Sequence, residues 1–282
     1  MIEKEIKLNG AVVFWSLGED TSAVDLDTGL RGLGLDAYTA EANTPNGAVK
    51  IALTKTYGRK GVKIDALPSA DGYVVTYLKA DNQNGVKTLE YDVAFSVEYS
   101  TDRSTLIFRS PTTGMVVQPN GYQNAQAIYA HEMSTCARHK VARCLTRIVG
   151  HLNGVALRDR GGLYWLPQDK MATFNGVAEV IQNAGGNSVY TVRTAHDTES
   201  VRAICDALTN EVNSELNTIN ADIMSGDIKK RAMKSRQDRA VNLRAQVAEY
   251  ESILGTALDS LKERCDEADT AAATTILAAF GA

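Results

Sequence analysis

The sequence predicts an α+β protein: a mixed α/β body with an antiparallel meander, a long central helix and a βαβ unit, followed by a long antiparallel coiled-coil hairpin. Three observations predict it. Apolar residues alternate with period two from Val62 to Phe108, between turn signals; they recur at helical spacing from Tyr122 to His151 and again beyond Asp197; and Gly162 to Thr194 reads strand, helix, strand. At 282 residues and 44% apolar content the chain can bury a core without covalent staples. The expected segments are 1–115 for the α/β domain with its meander, 116–196 for the long helix and βαβ unit, and 197–282 for the hairpin.

Taken in order, Ala11 to Leu17 is an apolar run that reads as a buried strand. Ser22 to Leu35 repeats Val24, Leu26, Leu30 and Leu33 at helical spacing, interrupted by Gly29, Gly32 and Gly34. Thr44-Pro45 supplies an N-cap and a first-turn proline for a helix reaching Tyr57. The meander strands are Val62–Leu67, Tyr73–Leu78, Val86–Tyr99 and Thr105–Phe108, separated by Asp71-Gly72, Asn84-Gly85 and Thr101-Asp102. From Tyr122 to His151 neither Pro nor Gly intervenes before Gly150, and Ile128, Met133, Ala137, Val141, Leu145 and Ile148 mark one continuous helix. Gly162–Leu166, Asp169–Gln182 and Ser188–Thr194 then form the βαβ unit, with parallel strands and a right-handed crossover.

The last third reads as helix throughout. Val201, Ile204, Leu208, Val212, Leu216, Ile219 and Ile223 form one apolar stripe, broken at Ser225-Gly226-Asp227. A second series, Leu243, Val247, Tyr250, Leu254, Ala257, Leu261, Cys265, Ala268 and Ala272, alternates spacings of three and four, the seam of a coiled coil. So short a connection makes the two arms antiparallel, the first about 40 Å long at ~1.5 Å per residue. The return arm outruns the first, so its Ala-rich end near Ile276 and Phe280 is expected to pack on the body or on another subunit.

A formal net charge of −4 leaves electrostatic function to local clusters. The four cysteines, Cys136, Cys144, Cys205 and Cys265, form no Cys-x-x-Cys pair and read as reduced, buried thiols. Ile2 to Lys7 lacks the apolar core of a signal peptide, and no run approaches the ~20 apolar residues that span a bilayer. A cytoplasmic protein without membrane contact is the expectation.

Four constellations have residue types suited to chemistry. His131, Cys136, His139 and Cys144 suggest a metal set, but the last three spread over about 140° of a helix surface, too wide for one ion, and His131-Glu132 lacks a second histidine four residues on. Arg138, Lys140, Arg143 and Arg147, together with Lys229, Lys230, Arg231, Lys234, Arg236, Arg239 and Arg244 at the hairpin tip, are clusters of the kind that phosphate backbones attract, or that pair with acids of a neighbouring chain. Arg158-Asp159-Arg160-Gly161-Gly162 is no phosphate cradle, because its glycines open a strand, whereas a cradle needs a helix N-terminus. His196-Asp197 is the best acid–base pair, yet Asp197 precedes Thr198-Glu199-Ser200 and reads first as a helix N-cap. None of these specifies a reaction, a cofactor or a metal.

The run from Arg158 to Pro167, the helix start at Asp197-Thr198, and Arg239, Leu243 and Tyr250 on the return arm resemble an uncharacterised protein family found in phages and their bacterial or archaeal hosts. Its mark is Arg-Gly-Gly-x-Tyr-x-x-Pro ahead of a C-terminal helical hairpin. The likeness covers Tyr122 to the C-terminus and is looser before it. It implies the architecture and a viral or prophage setting, and it brings no catalytic residue. The function expected is non-enzymatic: self-assembly into a homo-oligomer, or capture of another protein, through Leu243, Val247, Tyr250, Leu254, Leu261, Ile276 and Phe280. The alternative is nucleic-acid binding through Arg138, Lys140, Arg143, Lys229, Lys230, Arg231, Lys234 and Arg236.

Overall fold

A computed structural model describes residues 8–68, 71–83, 86–158, 162–225 and 230–280, and its class is α+β. In chain order the elements are β1 (Leu8–Ser16), β2 (Thr21–Ser22), α1 (Ala23–Gly32), α2 (Pro45–Tyr57), β3 (Val62–Ala66), β4 (Tyr73–Gln83), β5 (Val86–Tyr99) and β6 (Leu106–Arg109). Then come α3 (Tyr122–Ser134), β7 (Thr135–Cys136), α4 (Arg138–His151), β8 (Val155–Ala156), β9 (Tyr164–Pro167), α5 (Met171–Asn183), β10 (Ser188–Ala195), α6 (Thr198–Ser225), α7 (Lys230–Leu254) and α8 (Asp259–Phe280). The chain divides into two compact units that do not follow the three consecutive segments expected. One holds Met1–Ser16, Leu145–Glu179 and Ser188–Ala282; the other holds Leu17–Cys144 and Val180–Asn187.

In the second of these units the four meander strands form, β4 running on past Leu78 to Gln83, while the expected Asn84-Gly85 turn lies outside the described residues. Strands β3-β4-β5-β6 pair antiparallel in sequence order. Val75, Phe95, Val97 and Phe108 point inward and pack with Ala48, Val49 and Leu53 of α2 and with Ala125 and Tyr129 of α3. Thr44 caps α2 by accepting the Gly47 N–H at 3.3 Å, and Pro45 opens the first turn, as its fixed φ favours.

The long central helix is not continuous. It breaks at Thr135-Cys136, which leave the helix to pair with Ser22 and Thr21. The Thr135 and Ser134 hydroxyls both donate back to the His131 carbonyl, at 2.8 and 3.0 Å, and the buried Cys136 thiol donates to the Ala40 carbonyl. Short hydroxyl side chains compete in this way with the helical ladder, and a pattern built from apolar spacing does not register them.

In the other unit the strand order is β10-β1-β9-β8, and every neighbouring pair is antiparallel. Because β9 and β10 both run against β1, they run parallel to each other, as the βαβ reading requires. They are not neighbours: β1 lies between them. Its Ala11 and Val13 are fully buried, and the opposite face carries Val12 and Phe14, the two-sided apolar character of a central strand. At Gly10 a methyl group would fall 2.1 Å from the Leu166 carbonyl oxygen and 2.6 Å from the Trp165 ring. Glycine there lets the indole lie against the strand.

The C-terminal region is three helices. The return arm ends at Leu254, where Gly255 takes φ +64° and donates to the Glu251 carbonyl at 2.9 Å. Glu251 then accepts from the Leu258 N–H and from Lys262, and α8 folds back along α7. The ion pairs Glu251–Lys262 (2.8 Å) and Arg244–Asp266 (2.5 Å) record that antiparallel match; Arg239–Glu215 (3.1 Å) and Arg236–Asp222 (2.7 Å) do so for α6 and α7. Ala257, counted into the expected seam, is exposed in the link. A 3–4 spacing that runs smoothly through a helix break looks the same in sequence as an unbroken seam.

Sheet and bundle share one core. Trp165 of β9 meets Tyr250 of α7 edge to face, ring centroids 5.3 Å apart at 61°. The indole N–H donates to Thr194 Oγ1 at 3.0 Å, and the Tyr250 hydroxyl donates to the Asn153 carbonyl at 2.7 Å. Burial holds that phenol well above its ordinary pKa. Gly10→Ala is expected to cost about 1–3 kcal/mol or more by urea denaturation, because the strand or the indole has to move. Tyr250→Phe, which strands a buried carbonyl, is expected to cost about 1–3 kcal/mol in the same assay.

Candidate functional site

The residues expected to face a partner are taken up by the chain itself. Leu243, Val247, Tyr250 and Leu254 of α7 and Leu261 of α8 are buried with Ile204, Leu208, Val212, Leu216 and Ile219 of α6. The reason is the third helix: the seam read as one long arm closes on itself at Gly255. Ile276 is half-buried and Leu277 is 73% exposed, while the Phe280 side chain lies outside the described residues.

The basic positions are likewise engaged in part. Lys229 and the side chain of Lys230 lie outside the described residues. Arg231 and Lys234 are exposed on α7; Lys234 pairs with Asp238 at 3.3 Å, and Arg236 with Asp222 at 2.7 Å. On α4, Arg138 and Arg143 are exposed, whereas Lys140 donates to the Glu41 and Ala42 carbonyls at 3.2 and 3.0 Å. With Arg239 and Arg244 paired to Glu215 and Asp266, acids of the same chain therefore meet four of the tip cations, a screening that a count of basic residues does not reveal.

The remaining constellations resolve into structure. Among the described residues no group of His, Cys, Asp and Glu is placed to hold a metal. Cys136 and Cys144 are buried, and burial pushes the Cys136 thiol up. His131 Nε2 instead meets Asp20 Oδ1 at 3.1 Å. Asp197 caps α6, accepting the Ser200 N–H at 2.8 Å, and those hydrogen bonds hold its carboxyl below the usual range. Of the opening motif, Asp159 to Gly161 lie outside the described residues; Tyr164 to Pro167 form β9, fully buried.

One surface of a different kind stands out. Strand β10 pairs along its whole length with β1, from Ser188↔Ser16 to Ala195↔Leu8, and among the described residues no strand pairs with its other edge. Tyr190 to Arg193 are exposed in succession, so both faces of the strand stand in solvent there. Tyr190 is 46% and Val192 55% exposed, and Tyr190 stacks on Phe14 at 4.9 Å. The strand is held in place from within: Thr194 Oγ1 receives the Trp165 indole and donates to Asn9 Oδ1 at 2.8 Å.

Among the described residues the other terminal strands are shorter, β8 with two residues, β6 with four and β3 with five, against eight for β10, although the β4–β5 ribbon beyond the reach of β3 and β6 also has open outer edges. Folded proteins shield long edges with Pro, charge or a covering element; β10 has one arginine and no proline. Sequence reading found this strand and set it parallel to β9, and nothing in its composition separates an edge strand from an interior one.

Residues 8–279 match the model of DUF6744, a family of unknown function. The chain belongs to that family. No curated protein matches the chain. No solved structure matches it either. Among the described residues no helix is long and apolar enough to cross a membrane. Thiol labelling of this DUF6744 protein is expected to modify at most Cys205 rapidly in the native state and all four cysteines after denaturation, since the other three are buried.

Proposed function

We propose that this DUF6744 protein acts by self-association, without a catalytic step of its own, in a phage or prophage setting and in the host cytoplasm. The contact is between edge strands: β10 of one copy pairs antiparallel with β10 of a second copy about a two-fold axis. The observation that carries this reading is the unpaired eight-residue edge bearing exposed Tyr190 and Val192.

The strand is self-complementary in one register. With Thr191 opposite its own counterpart, Tyr190 faces Val192 of the second copy and Val192 faces its Tyr190, while Arg193 faces Val189. Aromatic and β-branched cross-strand pairs each contribute roughly 0.2–1 kcal/mol, and this alignment keeps the two arginines from standing opposite each other. Two four-stranded sheets then become one of eight strands with no long free edge. The helical seam plays no direct part: its residues lie inside each subunit.

Light scattering is expected to return twice the 30.4 kDa chain mass, little changed by salt because the contact is backbone and apolar surface. Tyr190→Lys and Val192→Lys, both at exposed positions, are expected to yield monomers with unchanged far-ultraviolet dichroism. A wild-type monomer at every concentration, or a dimer that survives both substitutions, would overturn the proposal.

A further inference from the structure

Within the unit that carries the bundle, a cavity of about 480 Å³ lies between α6, the end of α4 and the strands β8 and β9. Its lining carries both signs of charge. From α6 come the carboxylates of Glu211 and Glu215; from the segment after β8 comes Arg158; the Tyr164 hydroxyl of β9 and the Thr146 hydroxyl of α4 lie 3.4 Å apart. Val149, Leu157 and Ala207 supply apolar lining. Its volume is that of a site for a small molecule.

The acids are not equivalent. Glu215 is occupied by Arg239 at 3.1 Å. Glu211 Oε2 accepts the Ala156 backbone N–H at 3.2 Å and, among the described residues, forms no ion pair within salt-bridge distance. Burial raises its pKa above the ordinary value, and the Glu215 charge adds to that, against the opposing pull of the Ala156 N–H and Arg239. Arg158 and Tyr164 in the cavity lining and the Tyr250 phenol, which feels the Glu211 charge, are the other titratable groups nearby among the described residues. A ligand ammonium beside Glu211 would replace the hydration that burial removes, and a pure cation would be opposed by Arg158 in the same lining. A ligand with both an amine and an anionic group answers both charges.

We propose that this cavity binds a small zwitterion of the amino-acid class, its ammonium group on Glu211 and its carboxylate on Arg158 and the Tyr164 hydroxyl, with an apolar body against Val149 and Leu157. The inference is independent of the edge-strand contact, which involves other residues. It also gives the motif around Arg158 and Tyr164 a use that neither a phosphate cradle nor a turn supplies.

The test is calorimetric titration of the full chain with the standard amino acids and 4-aminobutyrate, with butylamine and butyrate as probes that each lack one charge. At least one zwitterion is expected to saturate the protein, and each singly charged probe to bind at least tenfold more weakly. Glu211→Gln, which keeps the acceptor for Ala156, is expected to reduce that affinity more than tenfold; Ala207→Leu, which fills the cavity and keeps every charge, should abolish binding. Dichroism melts establish that both variants fold. Absence of saturable binding by any zwitterion, or binding that survives either variant, would falsify the assignment. An independent readout is pH: the native carboxyl takes up its proton at higher pH than the unfolded chain, so Glu211 disfavours the native state above its raised value. That penalty fades as pH falls towards 4.5, and Glu211→Gln is expected to remove this slope.

Discussion

The contact between the Trp165 indole and the Tyr250 ring is the constraint on which the rest of the sheet-and-bundle unit depends. It joins two kinds of secondary structure whose apolar faces have different periods, two for the sheet and 3.6 for the helices, through one large side chain from each. Both rings are fully buried, and both polar atoms are satisfied, the indole N–H by Thr194 and the phenol by the Asn153 carbonyl. A buried aromatic with an unmet donor would lose much of what its area contributes. Through Thr194 the same network reaches Asn9 and so ties β10 to both β1 and β9. The edge strand is thus held firmly although its outer side is bare.

Gly10 is the other half of that constraint. A strand interior is a poor place for glycine, since it gives up packing and conformational entropy. Here the missing side chain is the space in which the indole lies. The sequence shows an aliphatic strand with an odd glycine at its start; only the position of β9 beside it explains why.

Much of the fold was legible because local rules dominate it. The Thr44-Pro45 helix start, the sequence-order pairing of the meander strands and the Asp197 cap are all set by residues close to one another in the chain. What misled were long-range partners and side chains that act against a pattern. Thr135-Cys136 leave an apolar-spaced helix because they have hydroxyl, thiol and strand partners elsewhere, and Gly255 splits a seam whose spacing runs on undisturbed. The interface residues read from that seam, Leu243 to Leu261, were correctly seen as apolar and helical. Whether such a stripe faces its own chain or another depends on how many helices share it, and spacing alone does not count helices. Glu211 was passed over for the same reason: it stands in an amphipathic stretch among other acids, and β8, brought beside it by the sheet, makes it a half-buried carboxylate bonded to the Ala156 N–H.

The place of β1 also dictates an order of events. Val13 pairs on one side with Tyr164 and on the other with Thr191, so the first strand made is among the last to find its neighbours. Such distant closure is entropically slow, and contact order of this kind lengthens folding. Everything from Leu17 to Cys144 emerges in between with its own meander core. During synthesis β1 emerges before either of its neighbours, its edges open to mispairing until β9 and β10 arrive.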